Sequence, residues 1–285
     1  MDRVLEYEIP SEYDGANITT VLKRHFKIST NLIKDLKKYK EGIQVNGEHR
    51  RVVDFVAKGD ILKITIRDTA SENIVPTDIP LDIVYEDEDV LVINKPPNMP
   101  THPSMGNYEN SLANGVMYYY KSKGEERVFR AVNRLDKDTS GLMAVAKNSY
   151  IHARLGEEIQ KKELKRKYMC IVCGDVEHDG TVDAPIRRAD GSVINRIVAP
   201  DGQRAVTHYR VIKRYREYTL LEMELETGRT HQIRVHMAYI GHPLVGDWLY
   251  GTENHNIAKR QMLHSCYLCF THPITGQIME FKDEM

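Results

Sequence analysis

In "AVNRLDKDTSGLMAVAKN", residues 131–148, a guanidinium at Arg134 and a carboxylate at Asp136 stand two residues apart. An apolar run, a polar turn from Lys137 to Gly141 and a second apolar run predict a strand-turn-strand unit. At a period of two, Arg134 and Asp136 share a face if the first strand persists. A lone aspartate in a turn is ordinarily a turn former. Three features favour chemistry: the neighbouring arginine, a Thr139-Ser140-Gly141 turn whose hydroxyls would bond backbone and fix the loop, and a cationic cluster elsewhere that lacks an anion. A buried aspartate held by arginine stays ionised and serves as nucleophile or base.

That cluster is Arg229, His231 and Arg234 in "TGRTHQIRVHMAYIG". Ile233, Met237 and Ile240 share a helical face, with Thr230 as N-cap and Gly241 and Pro243 as the stop. A helix N-terminus carries partial positive charge, so arginines there are unfavourable without an anion nearby. Either a carboxylate or phosphate sits at this helix start, or the arginines point to solvent. Tyr168 follows "KKELKRK", five basic residues in seven. It is either a base-stacking platform beside a phosphate-binding surface or an ordinary strand tyrosine.

The elements that must position these groups read as α+β. Strands outnumber helices and rarely alternate with them, which excludes a doubly wound fold. The expected architecture is a mixed, largely antiparallel sheet with flanking helices, plus a small N-terminal α+β unit. "LDIVYEDEDVLVINKPPNMP" predicts a hairpin, "SLANGVMYYY" a helix, and "SYIHARLGEEIQ" an amphipathic helix capped by Ser149. In the first 68 residues, one strand, two short helices (Ser29 as a cap, Gly42 as a stop) and an Asn46-Gly47 hairpin are expected. Lys23, Arg24, Lys27, Lys34, Lys37, Lys38, Lys40, Arg50 and Arg51 collect there, as solvated faces or as a phosphate-tracking surface. Residues 69–79 read as a linker, and 80–285 as a second domain.

Of the 285 residues, 41% are hydrophobic and 28% charged, ordinary for a soluble protein. Lys+Arg is 40 against 41 Asp+Glu, so global charge does not point to a polyanion. No apolar run is long enough to span a bilayer and no signal-peptide core opens the chain, so the cytoplasm is expected. Cys170/Cys173 and Cys266/Cys269 form two C-x-x-C pairs, the spacing of a zinc site. Their apolar, β-rich settings place each pair on a strand, where residues three apart diverge, so buried free thiols and no metal are expected.

The motifs resemble the RluA-type pseudouridine synthases, which isomerise uridines of ribosomal and transfer RNA. "NRLDKDTSGL" is similar to that family's R-L-D-x-x-T-S-G motif, "VYEDEDVLVINKP" to its opening motif, and "RKYMCIVCG" to its tyrosine strand. "TGRTHQIRVHMAYIGHPLVGD" resembles its arginine helix and the loop beyond, and "LHSCYLCFTHPITG" its closing strand. The match runs from residue 80 to 285 with motifs in order. Many members have His where this chain has Asn133. The N-terminal stretch is similar to an S-four-like RNA-binding module. The resemblance implies that Asp136 is the catalytic carboxylate, that Tyr168 stacks on a flipped uracil, that Arg234 pairs with Asp136 and that Arg134 helps displace the uridine. Arg134, Arg229, His231 and Ile233 are the expected substrate contacts, with large-subunit ribosomal RNA or transfer RNA as partner and a monomeric enzyme. Uracil and ribose are both retained, so no metal, oxidant or nucleotide cofactor is required. Rival readings are an RNA-binding module without catalysis, a glycoside-type hydrolase using Asp136 with Asp138, and a zinc base deaminase, whose H-x-E and P-C-x-x-C signature is missing.

Overall fold

A computed structural model describes residues 2–67, 74–251 and 257–284. The N-terminal unit contains β1 (Arg3–Glu8), α1 (Ile18–Arg24), α2 (Thr30–Leu36), β2 (Ile43–Val45), β3 (Glu48–His49) and β4 (Ile61–Ile66), with sheet order β1-β4-β2-β3. Ser29 caps α2 by accepting from the Leu32 amide at 3.2 Å. The β2–β3 turn is Asn46-Gly47, both at positive φ, as a tight hairpin requires. Gly42 does not stop α2, which ends six residues earlier at Leu36. Its role is close approach: a Cβ there would lie 2.0 Å from the Leu36 carbonyl oxygen.

The rest of the chain supplies β5 (Asp82–Glu86), β6 (Val90–Lys95), α3 (Leu112–Ser122), β7 (Ser140–Ala146), α4 (Ser149–Gln160), β8 (Lys165–Cys173), β9 (Gly180–Asp183), β10 (Ile186–Arg188), β11 (Arg196–Val198), β12 (Val206–Arg214), β13 (Tyr218–Leu225), α5 (Gln232–Tyr239), β14 (Leu263–Thr271) and β15 (Ile278–Lys282). A nine-stranded sheet runs β5-β6-β7-β14-β8-β13-β12-β9, with β15 also on β14. Every pair is antiparallel except β7 with β14. The α+β, largely antiparallel expectation therefore holds. β10 and β11 pair separately as a short hairpin.

The alternation of strand side chains sorts the core into two layers. Val90, Val92, Leu142 and Ala144 face α4 and the N-terminal unit, while Leu91, Ile93, Met143 and Val145 face α3 and α5. Both faces of β6 and β7 are thus dry, which is why these strands read as unbroken apolar runs. The N-terminal unit joins the first layer directly. Arg3 forks onto Asp89 at 2.9 and 2.8 Å, and the Tyr150 hydroxyl donates to the Phe26 carbonyl at 2.9 Å.

Several expectations need correction. The run before Asp136 is not a ladder strand: only Ala131 bridges to Val145. Asn133 explains why. Its side chain takes the place of backbone, accepting from the Ala144 amide at 2.9 Å and donating to Leu142 O at 3.4 Å. The chain is thereby released into a loop at Arg134. Helix α4 is capped by Asn148, which accepts from the Ile151 amide, and Ser149 is its first residue. Of the expected linker, residues 69–73 lie outside the described residues. Residues 74–79 are irregular but tied down: the Asn114 amide group donates to Val75 O at 2.7 Å, and the Thr77 amide donates to Asn114 O. The cysteine pairs do lie on β8 and β14. Cys170 is buried, and its burial pushes its thiol well above the ordinary range.

Candidate active site

The loop from Arg134 to Thr139 is held by the carbonyls of its four central residues. Thr101 Oγ1 donates to Leu135 O at 2.9 Å, the Thr139 amide to Asp136 O at 3.1 Å, and Arg260 to Asp138 O at 3.1 Å. Lys137 O receives both the Met99 amide at 3.0 Å and the Lys95 ammonium at 3.1 Å. Lys95 is fully buried and also donates to Pro96 O and Met99 O, each at 2.8 Å. Burial pushes its pKa down to about 7, while three carbonyl acceptors match the three N–H groups of the charged form. The Thr139 and Ser140 hydroxyls bond side chains of the following segment, not the loop's own backbone: Thr139 accepts from Gln261, and Ser140 pairs with His264 Nδ1 at 2.9 Å. Gly141 has φ +109°, and a Cβ there would come within 2.3 Å of Ser265 O, so the parallel contact of β7 with β14 demands glycine.

Helix α5 supplies the cation. It begins at Gln232, and its N-cap is His231, not Thr230. His231 adopts left-handed backbone (φ +58°) and makes no side-chain cap. The turn before it is organised by Gln232, whose Oε1 accepts from Thr227 Oγ1 at 2.8 Å and from the Arg229 amide at 3.0 Å. One turn in, the buried Arg234 fulfils the expected pairing with Asp136, donating to its Oδ2 at 3.2 Å. Its stronger partner is Asp247, gripped by Nε and a terminal nitrogen at 2.7 and 2.8 Å. Burial works against the Arg234 charge, yet the bonds to Asp247 hold its pKa above the ordinary value. Asp247 also accepts from the Leu249 and Tyr250 amides at 3.0 and 3.2 Å.

A small cleft collects every expected site residue: Arg134, Asp136, Tyr168, Arg229, His231, Ile233 and Arg234 all line it. It opens into a wider groove of about 480 Å³ lined by His102, Arg134, Asp136, Arg166, Tyr168 and Arg229. Tyr168 is on β8, opposite Ser265 of β14, with its ring facing the α5 layer. Its burial pushes the phenol pKa up, so it stays neutral. Ile233 closes the cleft floor as part of the core. Arg134 is exposed on the rim, and its guanidinium makes no hydrogen bond or ion pair among the described residues. Arg229 is also exposed, with Nε on Arg204 O at 3.1 Å. His231 Nε2 stands 4.0 Å from Asp136 Oδ2. No group of three or more metal-ligating side chains occurs among the described residues.

An open carboxylate thus stands beside a buried, fixed cation, and a neutral aromatic ring shares the groove with an arginine that has no partner among the described residues. The model of the family described as RNA pseudouridylate synthase matches residues 89–239, more than half the chain. The chain belongs to this family.

Relatives of the synthase include an uncharacterized RNA pseudouridine synthase, YjbO, of Bacillus subtilis (strain 168). It is 45% identical over 89% of this chain and 90% of its own. Ribosomal large subunit pseudouridine synthase D of Pasteurella multocida (strain Pm70) is 41% identical over 84% of this chain and 78% of its own. Among solved structures, human RNA Pseudouridylate Synthase Domain Containing 1 superposes with a TM-score of 0.60. It shares 24% identity, covers 72% of this chain and 84% of its own, and so supports the fold. The synthase is an isomerase that acts on RNA.

Sequence reasoning missed Asp247, Lys95 and Tyr250. A signal for Asp247 existed: three basic groups at one helix start against a single candidate anion left positive charge unbalanced. Lys95 and Tyr250 gave none, because a lysine at a strand end and a tyrosine in a turn are ordinarily exposed.

Proposed function

We propose that this synthase converts specific uridines of large-subunit ribosomal RNA to pseudouridine, with Asp136 as the catalytic carboxylate. It acts as a cytoplasmic monomer without a cofactor. The observation that carries the reading is the unequal bonding of Arg234. Asp247 saturates one edge of the guanidinium, while Asp136 takes a single bond and keeps an oxygen toward the groove. A carboxylate so placed is oriented and open to substrate.

The target base must leave its stack, at a cost of a few kcal/mol. Arg134 on the rim fills the vacated space, and Tyr168 holds the uracil face while the glycosidic bond breaks and the ring turns to present carbon. Neutral Tyr168 presents a π-face without adding charge to the reacting site. Arg229 and Arg166 line the groove where phosphates would run. The basic helices of the N-terminal unit serve as an S-four-like RNA-binding module covering residues 1–68, followed by the catalytic domain from residue 80. No helix among the described residues is long and apolar enough to cross a membrane.

Asp136→Asn tests the reading. An unmodified large-subunit rRNA transcript should be bound with affinity near wild type, because phosphate contacts and stacking persist. Pseudouridine should stay below detection with enzyme in excess. A turn-forming role tolerates Asn, so conversion near the wild-type rate would end the assignment. Pseudouridine mapping of total RNA from cells with and without the gene tests the choice of ribosomal RNA, and loss confined to transfer RNA would overturn it.

A further inference from the structure

Tyr250 touches each part of the centre around Asp136 and contributes no charge to it. Its amide donates to Asp247 at 3.2 Å. Its ring lies 5.1 Å from the Arg234 guanidinium carbon. Its hydroxyl accepts from the Arg196 amide, at the start of β11, at 2.9 Å and meets His231 Nδ1 at 2.8 Å. Burial lowers the His231 pKa, which favours neutral imidazole. A neutral imidazole carries hydrogen on one nitrogen only. The tyrosine oxygen already accepts the Arg196 amide, and no other acceptor for its hydrogen occurs among the described hydrogen bonds. The hydroxyl therefore donates to Nδ1. The remaining imidazole hydrogen is assigned to Nε2, which faces Asp136 Oδ2 across 4.0 Å. That span is too long for a direct hydrogen bond.

We propose that Tyr250 is a positioning residue: it holds His231 in the Nε2–H tautomer with that N–H aimed at the Asp136 carboxylate. The left-handed backbone of His231 points the same way, since so strained a conformation persists only where surroundings enforce it. The hydroxyl of Tyr250 is the enforcing contact on the side-chain end. The role rests on Asp136 being the reactive carboxylate, so the test separates the two claims.

Tyr250→Phe in the full chain keeps the ring on Arg234 and the amide on Asp247 and removes only the hydroxyl. Nitrogen NMR of the imidazoles, without RNA, reads the tautomer directly. Wild type should show His231 protonated at Nε2 with Nδ1 bare. The variant should show mixed His231 tautomers, with the other histidines unchanged as evidence of folding. On an unmodified large-subunit rRNA transcript, kcat should fall about tenfold with KM within about twofold, as expected for misplacement of a fixed group. In a His231→Gln background the same change should add less than about twofold, because the two residues act as one unit. An unaltered tautomer, an unaltered kcat, or fold-losses that multiply in the double variant would each overturn the proposal. Asp136→Asn leaves the His231 spectrum in place, so failure of the catalytic assignment appears only in turnover.

Discussion

Two loops present an aspartate to the same arginine and use it differently. In the 246–250 loop, Asp247 has no exposed side-chain surface, takes two bonds from Arg234 and two from backbone amides. In the 134–139 loop, Asp136 is 23% exposed and takes one bond. The difference lies in what is satisfied. The first loop spends its carboxylate on the arginine, while the second uses its backbone carbonyls to stay fixed and leaves the side chain free. Arg234 links the two carboxylates.

Exchanging charge for neutral amide on each side breaks that contrast most severely. Asp136→Asn should abolish turnover, a loss of at least about a thousandfold, while unfolding free energy in urea changes by less than about 1 kcal/mol, as for a partly exposed pair. Asp247→Asn should act chiefly on stability. It leaves Arg234 buried without its main partner, and destabilisation of about 3–5 kcal/mol is expected. Equal stability losses in the two variants would mean the loops do not divide their roles. Arg234→Lys sharpens the comparison. An ammonium has no planar fork to grip Asp247 with two bonds and still reach Asp136. Activity should drop about a hundredfold with a melting temperature several degrees lower, and Arg234→Met should be worse on both.

A smaller effect concerns RNA grip away from this centre. Lys23, Lys27 and Lys34 are exposed on the N-terminal helices and the turn between them. Replacing all three with Ala should weaken binding of the rRNA transcript without altering kcat. It should also flatten the slope of log affinity against log salt by about 2 to 3. An unchanged slope would remove the unit from the RNA path.

The smallest expected change is in pH response. His236 is buried, with Nδ1 accepting from Thr207 Oγ1 and Nε2 donating to Ala184 O, each at 2.9 Å. Burial lowers its pKa from the ordinary 6.5, as it does for His231. Below 6.5 the unfolded chain binds protons that the folded chain refuses, so stability falls as pH drops from 6.5 toward the folded-state values and is flat just above 6.5. Urea melts at neutral pH and at about pH 5.5 should show this, and His236→Gln should reduce the difference. A stability that rises on mild acidification would contradict the neutral, hydrogen-bonded assignment.

The candidate site was readable to the extent that its chemistry is local. Arg134, Asp136, Tyr168 and the arginine helix advertise themselves through charge set against apolar runs and helix polarity. The strand before Asp136 was misread because Asn133 pairs with β7 through its side chain, and no periodicity separates a backbone ladder from a side chain imitating one. Thr230 was misread as a cap because its type suits that place, while the residue that takes the N-cap is His231, in left-handed backbone and bonded through its ring to Tyr250 from outside the helix.

By itself the sequence determined which residues carry charge, which runs are apolar throughout, where the turn after Asp136 falls, and the motif order that marks the family. These follow from residue type and short spacing. Only the tertiary structure decided that Arg234 serves two aspartates and that a buried lysine rivets the Asp136 loop. It also decided that a tyrosine from a distant turn orients His231. These bonds join residues between 13 and 98 positions apart, and those that choose among partners form only once the sheet has brought the segments together.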